Sequence, residues 1–72
     1  MSTATLTSVT VNGEPRRIAA GATIAAMLRE LGIDPGRVAV ERNLSIVPRS
    51  TLDDVAVEDG DRFEIVHFVG GG

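Results

Sequence analysis

The apolar residues of this chain change their spacing once, at Gly21, and that change restricts the fold more than any other feature of the sequence. Before Gly21, Val9 and Val11 alternate with polar residues, the period of two that is typical of a half-buried β-strand. After Gly21, apolar residues from Ile24 to Leu31 follow the spacing of one helical face. With 72 residues the chain has room for one domain, so strand and helix must share one core.

Local motifs predict the boundaries of these first elements. Asn12-Gly13 is typical of a type I′ turn, because both residues tolerate positive φ, and predicts antiparallel pairing with a second strand over 15–19. Thr23 is a candidate N-cap and Gly32 a candidate C′ residue of the helix. The predicted core face of the helix comprises Ile24, Met27, Leu28 and Leu31, with Ala25 and Ala26 at the other positions.

The second half of the chain returns to strands. Residues 38–40 predict a buried third strand, and residues 46–47 predict a brief fourth strand that Pro48 stops. Ser50 or Thr51 is expected to cap a helical turn over 52–54, and residues 62–68 predict the last strand. Leu52, Val55 and Val57 are expected to be buried. A hairpin, one main helix and returning strands predict an α+β fold of the β-grasp (ubiquitin-like) kind, with a mixed sheet of four to five strands.

Alternation along the last strand separates two pairs of apolar side chains. If Phe63 and Ile65 face the helix, Val66 and Phe68 must lie on the outer face of the sheet. There they would form a small exposed patch suited to docking a partner protein. The alternative, in which Phe68 folds over the sheet edge into the core, is less favoured because the patch adjoins the end of the chain.

The chain ends in Val69-Gly70-Gly71-Gly72. Glycine has no Cβ, so consecutive glycines can enter a narrow active-site channel of another protein. We therefore expect a single domain over 1–68 and a flexible C-terminal glycine tail over 69–72. Simple fraying of the terminus is the alternative interpretation.

Composition argues against several classes of function. A net charge of −3 and two aromatic residues do not suit a nucleic-acid binder. Cysteine is absent, which removes thiolate metal sites and thiol nucleophiles and favours a cytoplasmic location. His67 has no partners for catalysis, and the acidic turn 58–61 matches no calcium loop, so a solvated turn is expected. We expect no metal site, no bound cofactor and no membrane contact.

Short stretches along the whole chain, in matching order and spacing, resemble the ThiS family, the sulfur-carrier proteins of thiamine thiazole biosynthesis. These stretches are VNGE at 11–14, AGATI at 20–24, residues 28–31, VAVERN at 38–43, IVPR at 46–49, EDGD at 58–61 and GG at 71–72. The chain departs from the family in the residues before Leu6 and at Leu44-Ser45, where a glycine or polar pair is more common.

The resemblance implies a sequence of reactions at Gly72. An adenylyltransferase similar to ubiquitin-activating enzymes would use ATP to adenylate the Gly72 carboxylate. Sulfur from a donor such as a cysteine desulfurase would replace AMP and leave a thiocarboxylate. Thiazole synthase would then take that sulfur into the thiazole ring. The chain itself would be no enzyme but a covalently modified co-substrate.

The same resemblance implies roles for the residues around the tip. Gly70 and Gly71 would form the tether, while Val66, Phe68 and Val69 would contact a partner. Arg42, Arg49 and Arg62 are candidates for steering the chain to acidic partner surfaces, although exposed arginines also serve solubility alone.

Two other functions stay open at this point. The small subunit of molybdopterin synthase also carries a thiocarboxylated tail. A ubiquitin-like interaction module or protein modifier would need no sulfur chemistry at all.

Overall fold

A computed structural model of the chain describes residues 5–68. Within these residues the chain forms five strands, one α-helix and two short 3-10 turns. The strands are β1 (Leu6–Val11), β2 (Glu14–Ala19), β3 (Val38–Arg42), β4 (Ser45–Val47) and β5 (Arg62–His67); the helix is α1 (Ile24–Glu30), and the 3-10 turns are Pro35–Arg37 and Arg49–Thr51. The proposed tail, Val69 to Gly72, lies outside the described residues, so the division at residue 68 stays a prediction.

The five strands form one mixed sheet in the order β2-β1-β5-β3-β4. The central contact between β1 and β5 is parallel, whereas β1–β2, β3–β4 and β3–β5 are antiparallel. One face of the sheet carries α1, and the buried residues of both form the core. The predicted α+β, β-grasp class is confirmed, with five strands.

The predicted turn and helix boundaries are also found in the structure. Asn12 has φ 51° and Gly13 has φ 82°, the positive values that a type I′ turn needs at both positions. The hydroxyl of Thr23 accepts a hydrogen bond from the Ala26 N–H at 3.1 Å. Gly32, at φ 79°, ends the helix, and the next N–H, that of Ile33, donates to the Leu28 carbonyl at 2.8 Å.

The core contains the apolar residues that the two periods predict, except Leu31, which is half-buried and packs against the core, and it contains one more. Met27 and Leu28 are fully buried, and the inward residues of β1 and β5 are buried as well. Ala25, expected on the other helix face, is also buried at 1% exposure. The reason is that the segment 52–57 crosses the start of α1, where the Leu52 carbonyl accepts from the Ala25 N–H at 2.8 Å.

The expected cap by Ser50 or Thr51 is wrong. A 3-10 turn occupies Arg49–Thr51, with Pro48 at the position before it and no side-chain cap. The expected turn over 52–54 follows it, and the Asp54 N–H donates to the Thr51 carbonyl at 2.9 Å. The Thr51 hydroxyl instead donates to the Pro48 carbonyl at 2.8 Å. Pro48 already has φ −58°, close to helical values, so the turn can begin directly after it. Leu52 and Val57 are buried as expected, and Val55 is half-buried.

Residues 5–68 contain neither a membrane-spanning helix nor a cluster of metal-binding side chains. No helix between residues 5 and 68 is long and apolar enough to cross a membrane. Nor does the described part of the chain gather three or more His, Cys, Asp or Glu side chains that could hold a metal ion.

Candidate docking face and attachment of the glycine tail

The face of the sheet opposite α1 carries exposed apolar side chains beside the end of β5. Phe63 and Ile65 point into the core at 1% and 6% exposure, whereas Val66 and Phe68 are 62% and 58% exposed. This is the alternation that the sequence predicts for β5. Phe68 therefore does not complete the core. That Val66 and Phe68 contact a partner stays a prediction, as it does for Val69, which lies outside the described residues.

Two further apolar residues extend this face, and the sequence analysis did not assign them to it. Ile46 pairs with Glu41, which pairs with Glu64 on β5, so all three positions share the outer face. Ile46 is 77% exposed and Leu44, in the turn before β4, is 90% exposed. We call Leu44, Ile46, Val66 and Phe68 the outer apolar surface. Alternation across β4 and β5 together would have identified Ile46.

The backbone at Phe68 is held in place just before the tail begins. The Phe68 N–H donates to the Arg37 carbonyl at 3.0 Å. The guanidinium carbon of Arg49 lies 5.3 Å from the centroid of the Phe68 ring, within the range of a cation–π contact. Arg49, suggested as a steering charge, thus also packs on the last described residue. The described part of the chain thus ends at a held position beside the start of β3.

Two turn asparagines hold β5 from either side. The Asn12 amide pairs with Ile65 as a peptide group would, accepting from its N–H at 2.7 Å and donating to its carbonyl at 3.2 Å. Asn43 accepts from the Arg62 N–H through its side chain at 2.9 Å. It also donates its own backbone N–H to the Arg62 carbonyl at 2.8 Å. Both asparagines have φ 51°, the conformation that brings their side chains back towards β5.

The acidic turn is not solvated throughout, which corrects the sequence prediction. Asp61 is only 5% exposed. Its carboxylate accepts from Arg42 Nε at 2.9 Å, from the Glu58 N–H at 2.8 Å and from the Asn43 amide at 3.1 Å. Arg42 is consequently a structural partner with a side chain 24% exposed, and not a free steering charge.

These contacts change the acidity of Asp61. Burial alone raises the pKa of the Asp61 carboxyl, but the Glu58 N–H, the Arg42 guanidinium and the Asn43 amide together outweigh it. The net result is a pKa below the ordinary value of 3.8. Asp61 is thus a charged link between the loop before β5 and the end of β3. The burial of Asp61 depends on Arg42 and Asn43, which are distant in sequence. Residue spacing within the acidic turn therefore could not predict this burial.

The β3–β4 turn places a leucine in an unusual backbone conformation. Leu44 has φ 73°, in the left-handed region that costs a residue with a Cβ about 1–2 kcal/mol. It lines a cleft of about 490 Å³ together with Thr10, Gly13, Asn43, Arg62 and Glu64. The cleft lies at the Arg62 end of β5, the end opposite Phe68. His67, for which a structural role was expected, is exposed near the Phe68 end.

Known proteins identify the family of this chain. The sequence model of the ThiS family matches residues 9–72. The chain belongs to the ThiS family. It is similar to the sulfur carrier protein ThiS of Bacillus subtilis (strain 168), with 42% identity over 50 residues, covering 69% of this chain and 76% of that protein. The resemblance stated from the sequence is confirmed.

Structure agrees with this assignment. The crystal structure of the thiamine biosynthesis protein ThiS from Geobacter metallireducens superposes with a TM-score of 0.76 at 34% identity, covering 90% of this chain and 99% of that chain. The ThiS-family chain is also 58% identical over 62 residues to a thiazole synthase of Paramagnetospirillum magneticum. Those residues are 86% of this chain but 19% of that protein, so the chain spans about a fifth of its length.

Proposed function

We propose that this ThiS-family chain is a sulfur carrier of thiamine biosynthesis that works through the carboxylate of Gly72 and catalyses no step itself. The observation that carries the proposal is the family match, which runs to residue 72 and includes the terminal glycines. The Bacillus relative, named a sulfur carrier, and the Geobacter structure, named a thiamine biosynthesis protein, support the pathway.

The proposed chemistry begins with activation, because a carboxylate resists attack by sulfur until it carries a good leaving group. A carboxylate oxygen of Gly72 attacks the α-phosphate of ATP, and pyrophosphate leaves. A sulfur nucleophile then attacks the carbonyl carbon of the acyl adenylate, and AMP leaves. If the donor is a persulfide, the product is an acyl disulfide, and a second thiol must reduce it to the thiocarboxylate. This chain has no cysteine, so that thiol belongs to a partner.

The folded domain would supply recognition and the tail would supply reach. Val66 and Phe68 form an exposed apolar contact directly before the tail. Val69 would continue it, and Gly70 and Gly71 would let the tip enter a narrow channel. The Arg49 contact and the hydrogen bond of the Phe68 N–H support this division, because they fix the point from which the tail starts.

Three partners follow from the proposed chemistry. An adenylyltransferase similar to ubiquitin-activating enzymes would use ATP, so that the carrier binds no cofactor of its own. A sulfur donor such as a cysteine desulfurase would supply the sulfur. Thiazole synthase would consume it, and the stretch of a thiazole synthase that is 58% identical to this chain supports that partner. We place the carrier in the cytoplasm with these enzymes.

Adenylation can be tested by ATP–pyrophosphate exchange with the adenylyltransferase from the same genome. Exchange should depend on added carrier, and deletion of Gly72 should abolish it while the circular dichroism spectrum stays unchanged. Exchange that persists without Gly72 would contradict the proposed site. Loss of the folded spectrum on deletion would show that the tail serves the fold instead.

The family match favours thiamine over the molybdopterin alternative, and growth can decide between them. A strain lacking the gene should grow when thiazole is supplied. If molybdopterin rescues growth and thiazole does not, the carrier belongs to the molybdopterin pathway instead. Growth without either supplement would favour an interaction module that transfers no sulfur.

A further inference from the structure

We propose that the outer apolar surface binds a partner protein through a basic side chain of that partner, which lies between the carboxylates of Glu41 and Glu64. This inference deepens the proposed function and rests on it, because it states the chemistry that a partner enzyme presents to the carrier. The occupant is thus an arginine or lysine surrounded by apolar side chains.

Two glutamates face each other on this surface. Glu41 on β3 is the cross-strand partner of Glu64 on β5, which places their Cβ atoms about 5 Å apart on the outer face. Like charges directly opposite each other in a sheet are destabilising. Glu41 is only half-exposed, so water and salt screen its charge less than at a fully exposed position. The pair therefore destabilises the free carrier.

The chain supplies no cation to this pair within residues 5–68. Arg62 precedes Glu64 by two residues on the same face, but it forms no ion pair with either glutamate in that part of the chain. Arg42 lies on the other face, where its Nε is 2.9 Å from the Asp61 carboxylate. The described residues also gather no third ligand that could complete a metal site with the pair. A positive group that neutralises the pair therefore comes from another molecule.

Exposed apolar side chains border the pair and indicate a protein as that molecule. Ile46 lies across from Glu41 on β4, and Val66 follows Glu64 by two residues on the same face. Their side chains are 77% and 62% exposed. An apolar contact around the pair would exclude water and strengthen its attraction for a cation. Arginine is enriched at protein interfaces, and its planar guanidinium can bond to carboxylates, whereas the phosphates of a nucleic acid or a membrane would be repelled.

The charge of the pair argues against a second copy of the chain as the occupant. Most dimers form about a twofold axis, so that the same patch of both subunits meets. Such a contact would bring Glu41 and Glu64 of each copy into one interface. Like charges that meet across an interface suppress association. The partner is therefore a different protein with a basic contact surface.

Stability and binding are measured on the same variants, because they should change in opposite directions. Glu64→Arg replaces the repulsion by a cross-strand ion pair with Glu41, so its melting temperature should rise. Its Kd for a partner enzyme should increase at least about tenfold, since the basic side chain of the partner would meet a positive charge. Glu64→Gln should change both quantities in the same directions and by less. Calorimetry with the adenylyltransferase and with thiazole synthase gives the Kd values, and the loss should appear with at least one of them.

Glu30→Arg is the matched control. Glu30 is an exposed residue at the end of α1, and its substitution changes the net charge by the same amount on the covered side of the sheet. Both Kd values should stay at the wild-type level. An equal loss of binding in Glu30→Arg would attribute the effect to net charge alone and overturn the inference.

Other results would also overturn the inference. Wild-type Kd values for Glu64→Arg with both enzymes would do so and leave the proposed function standing. A lower melting temperature for Glu64→Gln would show that the pair is not repulsive. A wild-type dimer that Glu64→Arg dissociates in sedimentation would assign the surface to a second copy, and stabilisation of wild type by magnesium that Glu64→Gln abolishes would assign the pair to a metal ion. If wild-type carrier binds neither enzyme and acquires no sulfur, the proposed function fails and the inference fails with it.

Discussion

At the scale of single residues, Asp61 joins parts of the chain that are far apart in sequence. Its carboxylate bonds to Arg42 and Asn43 at the end of β3 and to the Glu58 N–H in the loop before β5. Its backbone carbonyl accepts from the Thr10 N–H on β1 at 3.0 Å. Removal of the charge would leave Arg42 partly buried without its closest carboxylate. Asp61 thus stabilises the fold, in a turn whose sequence also matches the family pattern.

We expect Asp61→Asn to lower the free energy of unfolding by about 2–3 kcal/mol, because breaking a buried ion pair leaves an uncompensated charge. Urea denaturation monitored by circular dichroism measures this difference. Asp53→Asn is the matched control, since Asp53 is 73% exposed and lies 3.7 Å from Arg29. Its effect should stay within about 0.5 kcal/mol. Equal effects of the two substitutions would contradict the assigned role of Asp61.

The lowered pKa of Asp61 also predicts a pH dependence. Between the folded pKa and the ordinary value of 3.8, the unfolded chain binds more protons than the folded one, so stability rises with pH. The contribution of the Asp61 carboxylate to the free energy of unfolding is complete above pH 3.8, the ordinary pKa. It is lost as the pH falls through the lower pKa of the folded state. The stability difference between wild type and Asp61→Asn should therefore shrink in urea titrations below about pH 3.8. A difference that stays constant to about pH 2 would contradict this account.

At the scale of elements, β5 depends on the two turns beside it. The pairing between β1 and β5 is short, with Thr10 opposite Arg62 and Val11 opposite Phe63. The Asn12 side chain continues it by pairing with Ile65. Strand β5 carries the outward Val66 and leads to Phe68. The turn asparagine thus helps to position the strand that carries the proposed docking residues.

Asn12→Gly keeps the positive φ of the turn and removes both side-chain hydrogen bonds to Ile65. The Ile65 N–H then loses its partner, and the free energy of unfolding should fall by about 1–2 kcal/mol. Hydrogen exchange should show the Ile65 amide losing about tenfold of its protection. Asn12→Asp should be intermediate, because the carboxylate still accepts from the Ile65 N–H but donates nothing. Unchanged exchange at Ile65 in Asn12→Gly would contradict the role.

Elements set by local chemistry could be predicted from the sequence, and contacts between distant segments could not. The Asn12-Gly13 turn, the Thr23 cap and the Gly32 end each depend on residues within one or two turns. The outward direction of Val66 and Phe68 follows from the period of β5. Burial of Ala25 and Asp61 depends instead on segments that only the fold brings together.

The candidate site also contains some features that the sequence predicts and others that require the structure. Its tip, Gly72, was predicted from the end of the sequence, but it lies outside the described residues and stays a prediction. The position of Ile46 required the register of β4 on β3. The unusual conformation of Leu44 required the turn geometry, although its departure from the family pattern was visible in the sequence.

At the scale of the whole molecule, the domain has one covered face and one exposed face. The helix α1 covers the first, and the outer apolar surface lies on the second. Four of the five large apolar side chains that are exposed among residues 5–68 belong to that surface. Such an arrangement is consistent with the docking on partner enzymes that we propose.

Truncation of Val66 and Phe68 tests the docking face as a whole. The double variant Val66→Ala/Phe68→Ala should keep its fold, because both side chains are more than half exposed. The KM for carrier in ATP–pyrophosphate exchange should rise at least tenfold, since two apolar contacts are lost beside the tail. Leu6→Ala serves as the exposed control. A double variant with the wild-type KM would place docking elsewhere on the domain.

The most direct measurement of the central claim is the intact mass of the carrier after incubation with its adenylyltransferase, ATP and a sulfur source. We predict a mass increase that matches one oxygen exchanged for sulfur, with fragment ions placing the change at Gly72. The fragment ions separate this change from oxidation of Met1 or Met27, which adds nearly the same mass. Deletion of Gly72 should remove the shift. An unchanged mass in wild-type carrier, with the adenylyltransferase shown to be active, would contradict the sulfur-carrier account.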